Sequence, residues 1–323
     1  MRLRFASLCL LAVLLTAAWT AGAEPTYAER LGWPADARVV LFHSDDAGMS
    51  HASNLGTIRA IEEGVVTSAS IMMPCPWVPE FVKYVKEHPE VDAGVHLTMN
   101  SEWDLYRWGP VAGKPAVPGL CDPDGYLWDN GKQVVENATP DEVEREIRAQ
   151  IEKLEGMGIK PTHIDSHMGT LFATPEFAER YYKVGIEKQI PVLAMAGHLT
   201  HVMQEQDTET IDAIKQLAEM AWDKGLPVLD DLHTASYDWQ EGKGEKFVEM
   251  LSSLKPGITM IIVHATDPTD EIPLITPSAP KRYEDTKGVV DPAVRKAIEE
   301  KGIIMTTWRE LKQRRDKVGE AKP

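Results

Sequence analysis

The sequence predicts an α/β protein built as a distorted β/α barrel of about seven or eight parallel strands. Short β-type runs alternate with helical patterns along almost the whole chain. The runs are apolar, as strands covered by helices are. About eight such units fit in roughly 300 residues, the number that closes a barrel. A doubly wound open sheet is the alternative. No Gly-x-Gly-x-x-Gly follows a strand and no Walker motif occurs, so nucleotide binding has no support.

The elements follow in order. Residues 1–23 carry two arginines near the start, an apolar run and then Ala21-Gly22-Ala23. This is the pattern of a secretory signal peptide, with cleavage expected after Ala23 and export to the periplasm or medium. The run, about 12 to 15 residues, is short for a transmembrane span, so no stable membrane insertion is expected. Residues 24–323 then read as one domain. Strand-like runs occupy 38–43, 65–73, 91–97, 161–165, 191–195, 226–230, 258–264 and 302–307. Helical spacing of Leu55, Ile58 and Ile61 predicts a helix over 53–63. Thr139-Pro-Asp-Glu opens a helix that ends at Gly156 and Gly158. Helical patterns also cover 174–189 and 207–225. Residues 100–135 break the rhythm. They lack periodicity but hold Trp103, Tyr106, Trp108, Tyr126 and Trp128, which argues for an ordered insertion rather than disorder. Residues 266–287 read as a second irregular stretch.

The formal charge is −16, and −18 without residues 1–23, which hold two arginines and no acid. Such a chain is a poor candidate for nucleic acid or an anionic membrane. Neutral or cationic substrates suit it better. Outside the leader only Cys75 and Cys121 remain; they can pair in an oxidising compartment but make no disulfide framework. A homo-oligomer is compatible with all of this.

The strand ends carry the chemistry. Ligands of barrels and open α/β sheets bind beyond the carboxyl ends of the strands. The first strand runs into Asp45 and Asp46, the third into His96, the fourth into His163, Asp165 and His167, and the seventh into His264. Adjacent carboxylates repel, so they call for a compensating cation or a solvent-facing turn. One histidine at a strand end is usually a hydrogen-bonded structural residue. Four of them at three strand ends, beside three aspartates, point to one shared site. If His163-Ile-Asp-Ser-His167 continues as strand, period 2 sends its ionisable residues to one face. Carboxylate and imidazole suit zinc, and also Mg, Mn, Fe, Co or Ni. A site assembled from separate strands tends to be catalytic, and one Asp of the pair then serves as general base rather than ligand. His51, His88, His198, His201 and His233 read as surface or loop residues, and His43 simply as part of a strand.

In order along the chain, HSDDAGMS, GVVTSASIMM, GVHLTMNSEW, THIDSH and IIVHATDP resemble the YdjC/ChbG-like carbohydrate deacetylases, over about residues 38 to 268. The resemblance implies a distorted β/α barrel and removal of acetyl groups from N-acetylated amino sugars with one divalent metal, zinc first. It implies Asp45 as catalytic base and His264 as the acid that protonates the leaving amine. Asp46, His96 and His167 would hold the metal, with His163 and Asp165 as supporting or alternative ligands. Three features depart from the family pattern: DSHMGT stands for DSHxH, HATDP for HPG, and the leader implies export. They bear on substrate more than on metal chemistry. Trp103, Tyr106 and Trp108 would stack on sugar rings, or else form the insertion's own core. Trp77 would join them or pack behind the sheet. Hydrolysis of O-acetyl esters and glycan binding without turnover are the alternative functions.

Overall fold

The computed structural model describes residues 24–202 and 207–320. The leader lies outside the described residues, and no helix among them is long and apolar enough to cross a membrane. Seven strands form one parallel sheet: β1 (Arg38–Ala47), β2 (Ser68–Ile71), β3 (Ala93–Leu97), β4 (Ile164–Ser166), β5 (Asp231–His233), β6 (Gly257–Val263) and β7 (Ile304–Met305). The order is β4-β3-β2-β1-β6-β5. Short β7 pairs with Val39 and Val40, below the part of β1 that pairs with β2.

The ends of this path approach one another. Ile164 bridges to Val192, and Met195 bridges to Leu229, just before β5. The expected strands at 191–195 and 226–230 are therefore single bridges that complete a distorted barrel, not ladders. Local chemistry explains the first case: the Leu193 N–H donates to the Tyr181 hydroxyl (2.7 Å) instead of to a neighbouring strand.

Alternation along β1 sets both the core and the site. Val39 and Leu41 face inward and pack with Ile258 and Met260 of β6. Val40 and Phe42 face outward against Ile261, Val263 and Phe247. His43 and Asp45 continue the inward series. The outer face is covered by helices, including Lys243–Ser253 and Pro292–Glu300.

The helix opened by Thr139 starts where its cap predicts, whereas the one expected over 53–63 starts two residues earlier, at His51–Glu62. Thr139 and Glu142 form a reciprocal capping box at the start of Pro140–Gly156. That helix also docks the aromatic insertion. Glu146 accepts from the Val111 and Ala112 N–H groups (2.8 and 2.9 Å), and Glu142 from Gly119 N–H (2.7 Å). Inside the insertion, Trp108 packs edge-on against Trp103 and Tyr106 and donates to the Asn100 carbonyl (3.0 Å). Trp103 and Trp108 are only 8% and 3% exposed. Their faces are turned on neighbours, so they form the insertion's core and present no open platform to a sugar; the Tyr106 hydroxyl is bound to the Met49 carbonyl. Cys75 and Cys121 are both buried and free. Residues 266–287 are not wholly irregular: helices Ile272–Ile275 and Ala279–Val290 lie across them. Prolines 273, 277 and 280 hide these helices in the sequence, yet Pro273 and Pro280 sit in first turns, where no N–H is needed.

One glycine is dictated by close approach. A Cβ on Gly94 of β3 would lie 2.4 Å from the His163 ring. That ring is stacked on Trp308 (5.4 Å) and edge-on to His43 (4.9 Å), so it has nowhere to go. Gly94→Ala is expected to destabilise the protein by about 1–3 kcal/mol through overpacking. An unchanged midpoint in urea unfolding would contradict the tight contact.

Candidate metal centre and active site

The site begins at a defect in β1. Between Ser44 and Ala47 the register against β2 slips, so that β1 carries one extra residue. Asp46 takes a left-handed backbone conformation, φ 65°. Regular strand geometry would send Asp45 and Asp46 to opposite faces. The bulge instead brings both carboxylates to the same mouth. A left-handed aspartate costs about 1–2 kcal/mol, a local strain of the kind that clusters at functional sites.

Three atoms converge beside it. Asp46 Oδ1 lies 3.4 Å from His96 Nε2 and 3.3 Å from His167 Nδ1, and the two nitrogens are 3.2 Å apart. Each imidazole is held from behind by a carboxylate. His96 Nδ1 donates to Asp165 (2.7 Å), and His167 Nε2 donates to Glu102 (3.0 Å). Those outer bonds fix both rings and turn their inner nitrogens toward Asp46. Asp46 Oδ1 is buried without a hydrogen-bond partner. Its other oxygen accepts from Arg282 Nη1 at 2.7 Å. Burial opposes the Asp46 carboxylate, but Arg282 and the two histidines hold its pKa well below the usual range. Burial likewise opposes protonation of His167, yet Glu102 and Asp46 raise it to about 9; the carboxylates around His96 raise it well above its ordinary value.

The donor set passes the test for a cation. The two inner nitrogens and Asp46 Oδ1 face one another in a buried cradle, and the negative potential that raises both histidines attracts a proton or a metal alike. Ligands about 2.0–2.1 Å from a tetrahedral ion stand roughly 3.3 Å apart, which matches the observed edges. Two nitrogens and one carboxylate oxygen suit zinc or a neighbouring divalent ion, and three protein ligands leave a position open.

Asp45 lies to one side. Its Oδ1 is 3.1 Å from His43 Nε2 and accepts from Ser70 Oγ at 3.4 Å. Its Oδ2 faces His96 Nε2 and His264 Nε2, each at 3.9 Å. His264 is held by its backbone N–H, which donates to Asp285 (3.0 Å), and Asp285 is paired with buried Lys243 (2.7 Å). Burial, then Arg282, push the His264 pKa down to about 4. The ring is therefore neutral over the ordinary pH range.

The histidines expected at β4 separate by depth. The strand stops at Ser166 and a left-handed turn at Met168 and Gly169 follows, yet His167 still reaches the cation cradle. Asp165 sits beneath it, between His96 and His43. His163 lies deeper, outside the Asp46–His96–His167 triangle, bonded to Thr162 (3.0 Å). Burial and the nearby His43 keep it neutral. It is not a member of that triangle, but with His43 and Asp165 it forms a second buried group that could hold an ion.

Sequence reasoning missed three residues of the site. His43 is fully buried, with Nδ1 on Ser68 and Nε2 2.9 Å from Asp165 and 3.1 Å from Asp45. Burial opposes its charge, but bonds to Asp165 and Asp45 raise it to about 9. The signal was present: His43 and Asp45 are two apart on one strand. Glu102 lay within a quoted block but had no partner visible in sequence. Arg282 comes from a helix hidden by prolines. His233, read as a surface or loop residue, lies in β5 and is buried against Trp239 on its outer side.

The family described as YdjC-like protein matches residues 39–300. The chain belongs to the YdjC-like family. A carbohydrate deacetylase of Thermus thermophilus is 30% identical over 289 residues, covering 88% of this chain and 97% of that protein. Another, of Brevibacillus brevis, is 35% identical over 156 residues, or 47% of this chain and 58% of its own length. A crystal structure from Enterococcus faecalis V583, provisionally named a cellobiose-phosphate cleavage protein, superposes with a TM-score of 0.74 at 23% identity, covering 85% of this chain and 99% of that one. That likeness is one of fold. This YdjC-like chain is thus a member of a carbohydrate deacetylase family with the expected barrel.

Within this YdjC-like site, Glu102→Ala is expected to weaken metal binding by about 10–100-fold, because His167 loses the group that fixes its tautomer. Competition with a chromophoric chelator measures this; an unaltered affinity would remove Glu102 from the site's support.

Proposed function

We propose that this protein is a metal-dependent deacetylase that hydrolyses the acetamido group of N-acetylated amino sugars in oligo- or polysaccharides. One observation carries the reading: the inward-facing triangle of Asp46, His96 and His167 stands beside Asp45 and His264 at the mouth of a deacetylase-family barrel. Asp46, His96 and His167 would hold the ion, zinc first among the candidates. When bound, the ion polarises the acetyl carbonyl and lowers the pKa of water.

The chain's own residues do the rest. His43 and Ser70 fix Oδ1 of Asp45 and leave Oδ2 toward the mouth. There it takes a proton from the attacking water. His264 enters the cycle neutral, 3.9 Å from that oxygen. The proton taken by Asp45 is therefore the one His264 relays to the leaving nitrogen. Water's oxygen bonds to the acetyl carbon, the C–N bond breaks, and acetate and the free amine leave. Arg282 keeps Oδ2 of Asp46 occupied, so Oδ1 is the oxygen that would be left for the ion. The N-terminal pattern of residues 1–23 supports action outside the cytoplasm. Fractionation of cells making the full chain tests that part.

The test is acetate release from N-acetylated oligosaccharides by the zinc-, cobalt-, nickel- or manganese-loaded protein, beside O-acetylated sugars. Release from the amides supports the proposal. Release from esters alone would move the assignment to an esterase. Sugar binding with no turnover of either would make it a binding protein.

A further inference from the structure

We propose that Trp77 is the stacking platform of an accessory sugar subsite at the barrel mouth. It would bind a pyranose ring of the substrate chain beyond the residue being deacetylated. The inference rests on the saccharide-deacetylase reading above and assigns it a preference for longer chains.

Trp77 lies on the turn that follows the carboxyl end of β2, the face on which Asp45 and Asp46 open. Its side chain is among the few large apolar groups left exposed, at 40%. Scattered exposed apolar residues need no explanation, but this one is braced. The His51 ring backs the indole at 5.1 Å and 33°. His51 Nδ1 is fixed by Glu80 at 2.8 Å, and the other Glu80 oxygen accepts from Asn54 Nδ2 at 2.7 Å. The same Asn54 amide donates to the Trp77 carbonyl at 3.0 Å. Its Oδ1 accepts from Gly48 N–H at 2.7 Å, two residues beyond Asp46. One asparagine thus ties the indole's backbone to the bulge that shapes the catalytic mouth.

A rigid, half-exposed indole backed on one side offers an electron-rich face to the apolar C–H face of a pyranose. His51 and Glu80, both partly exposed, flank it with groups that bond hydroxyls. The buried Trp103 and Trp108 offer no such face.

The experiment measures binding of N-acetylglucosamine dimer and tetramer by calorimetry to the metal-loaded protein in an Asp45→Asn background. Acetate release by the Asp45 protein on the same sugars is measured alongside. Trp77→Ala is expected to lower the tetramer-to-dimer affinity ratio by about tenfold, and Trp77→Tyr to restore it. An unchanged ratio in Trp77→Ala, with acetate released by the parent protein, overturns the subsite alone. No acetate and no binding of either sugar overturns the deacetylase reading and the subsite with it.

Discussion

His96→Ala, His167→Ala and Asp46→Ala are each expected to lose bound metal and acetate release together. The three side chains supply one atom each to a triangle with edges of 3.2–3.4 Å. Removing one leaves two ligands, too few to hold an ion against water. The affinity loss should be at least about 100-fold, above the range expected when only an outer partner is changed. The histidine variants are the cleaner pair. Asp46→Ala also strands buried Arg282, and breaking a buried ion pair from one side costs about 3–5 kcal/mol, so its folding must be checked by circular dichroism. Metal content after dialysis decides the matter. A His96→Ala protein that keeps one equivalent would show that the cation sits elsewhere, for instance lower, near His43, His163 and Asp165.

Asp45→Asn is expected to behave differently: full metal content, with a rate lower by about 10²–10⁴-fold, the usual loss when a general base is removed. Asparagine keeps the shape of the side chain and an oxygen for the Ser70 hydroxyl, so the ligand triangle next to it should persist. What disappears is the basic Oδ2 that faces His264. Single-turnover acetate release on metal-replete protein reads this directly. Metal loss in Asp45→Asn would exchange the roles of the two aspartates, and an unaltered rate would end the case for Asp45 as base.

Much of this was legible beforehand because it is local. The strand runs at 38–43, 91–97 and 258–264 announce themselves by length and apolarity, and the helix at Pro140–Gly156 by its cap. His96, His167 and the aspartate pair stood out because polar residues at apolar strand ends ask for a reason. The runs at 191–195 and 226–230 looked equal to the others, but pairing depends on a partner edge, and the Tyr181 hydroxyl had taken one of the donors. The insertion's aromatics advertised order without saying what they would pack against; they pack against one another.

By itself, the sequence determined the class of fold, the mouth at which ionisable residues gather, and the residue types available there. Alternation along strands and a parallel strand–helix rhythm suffice for that, since both follow from backbone geometry. Tertiary structure decided which of those residues meet. A one-residue bulge turned Asp46 to the side of Asp45, and depth along β4 separated His167 from His163. Glu102 and Arg282 arrive 56 and 236 positions beyond Asp46 in the chain and touch the site only because the insertion and a proline-masked helix fold back over it. Contacts between groups so far apart carry no period or spacing, so nothing short of the packed chain specifies them.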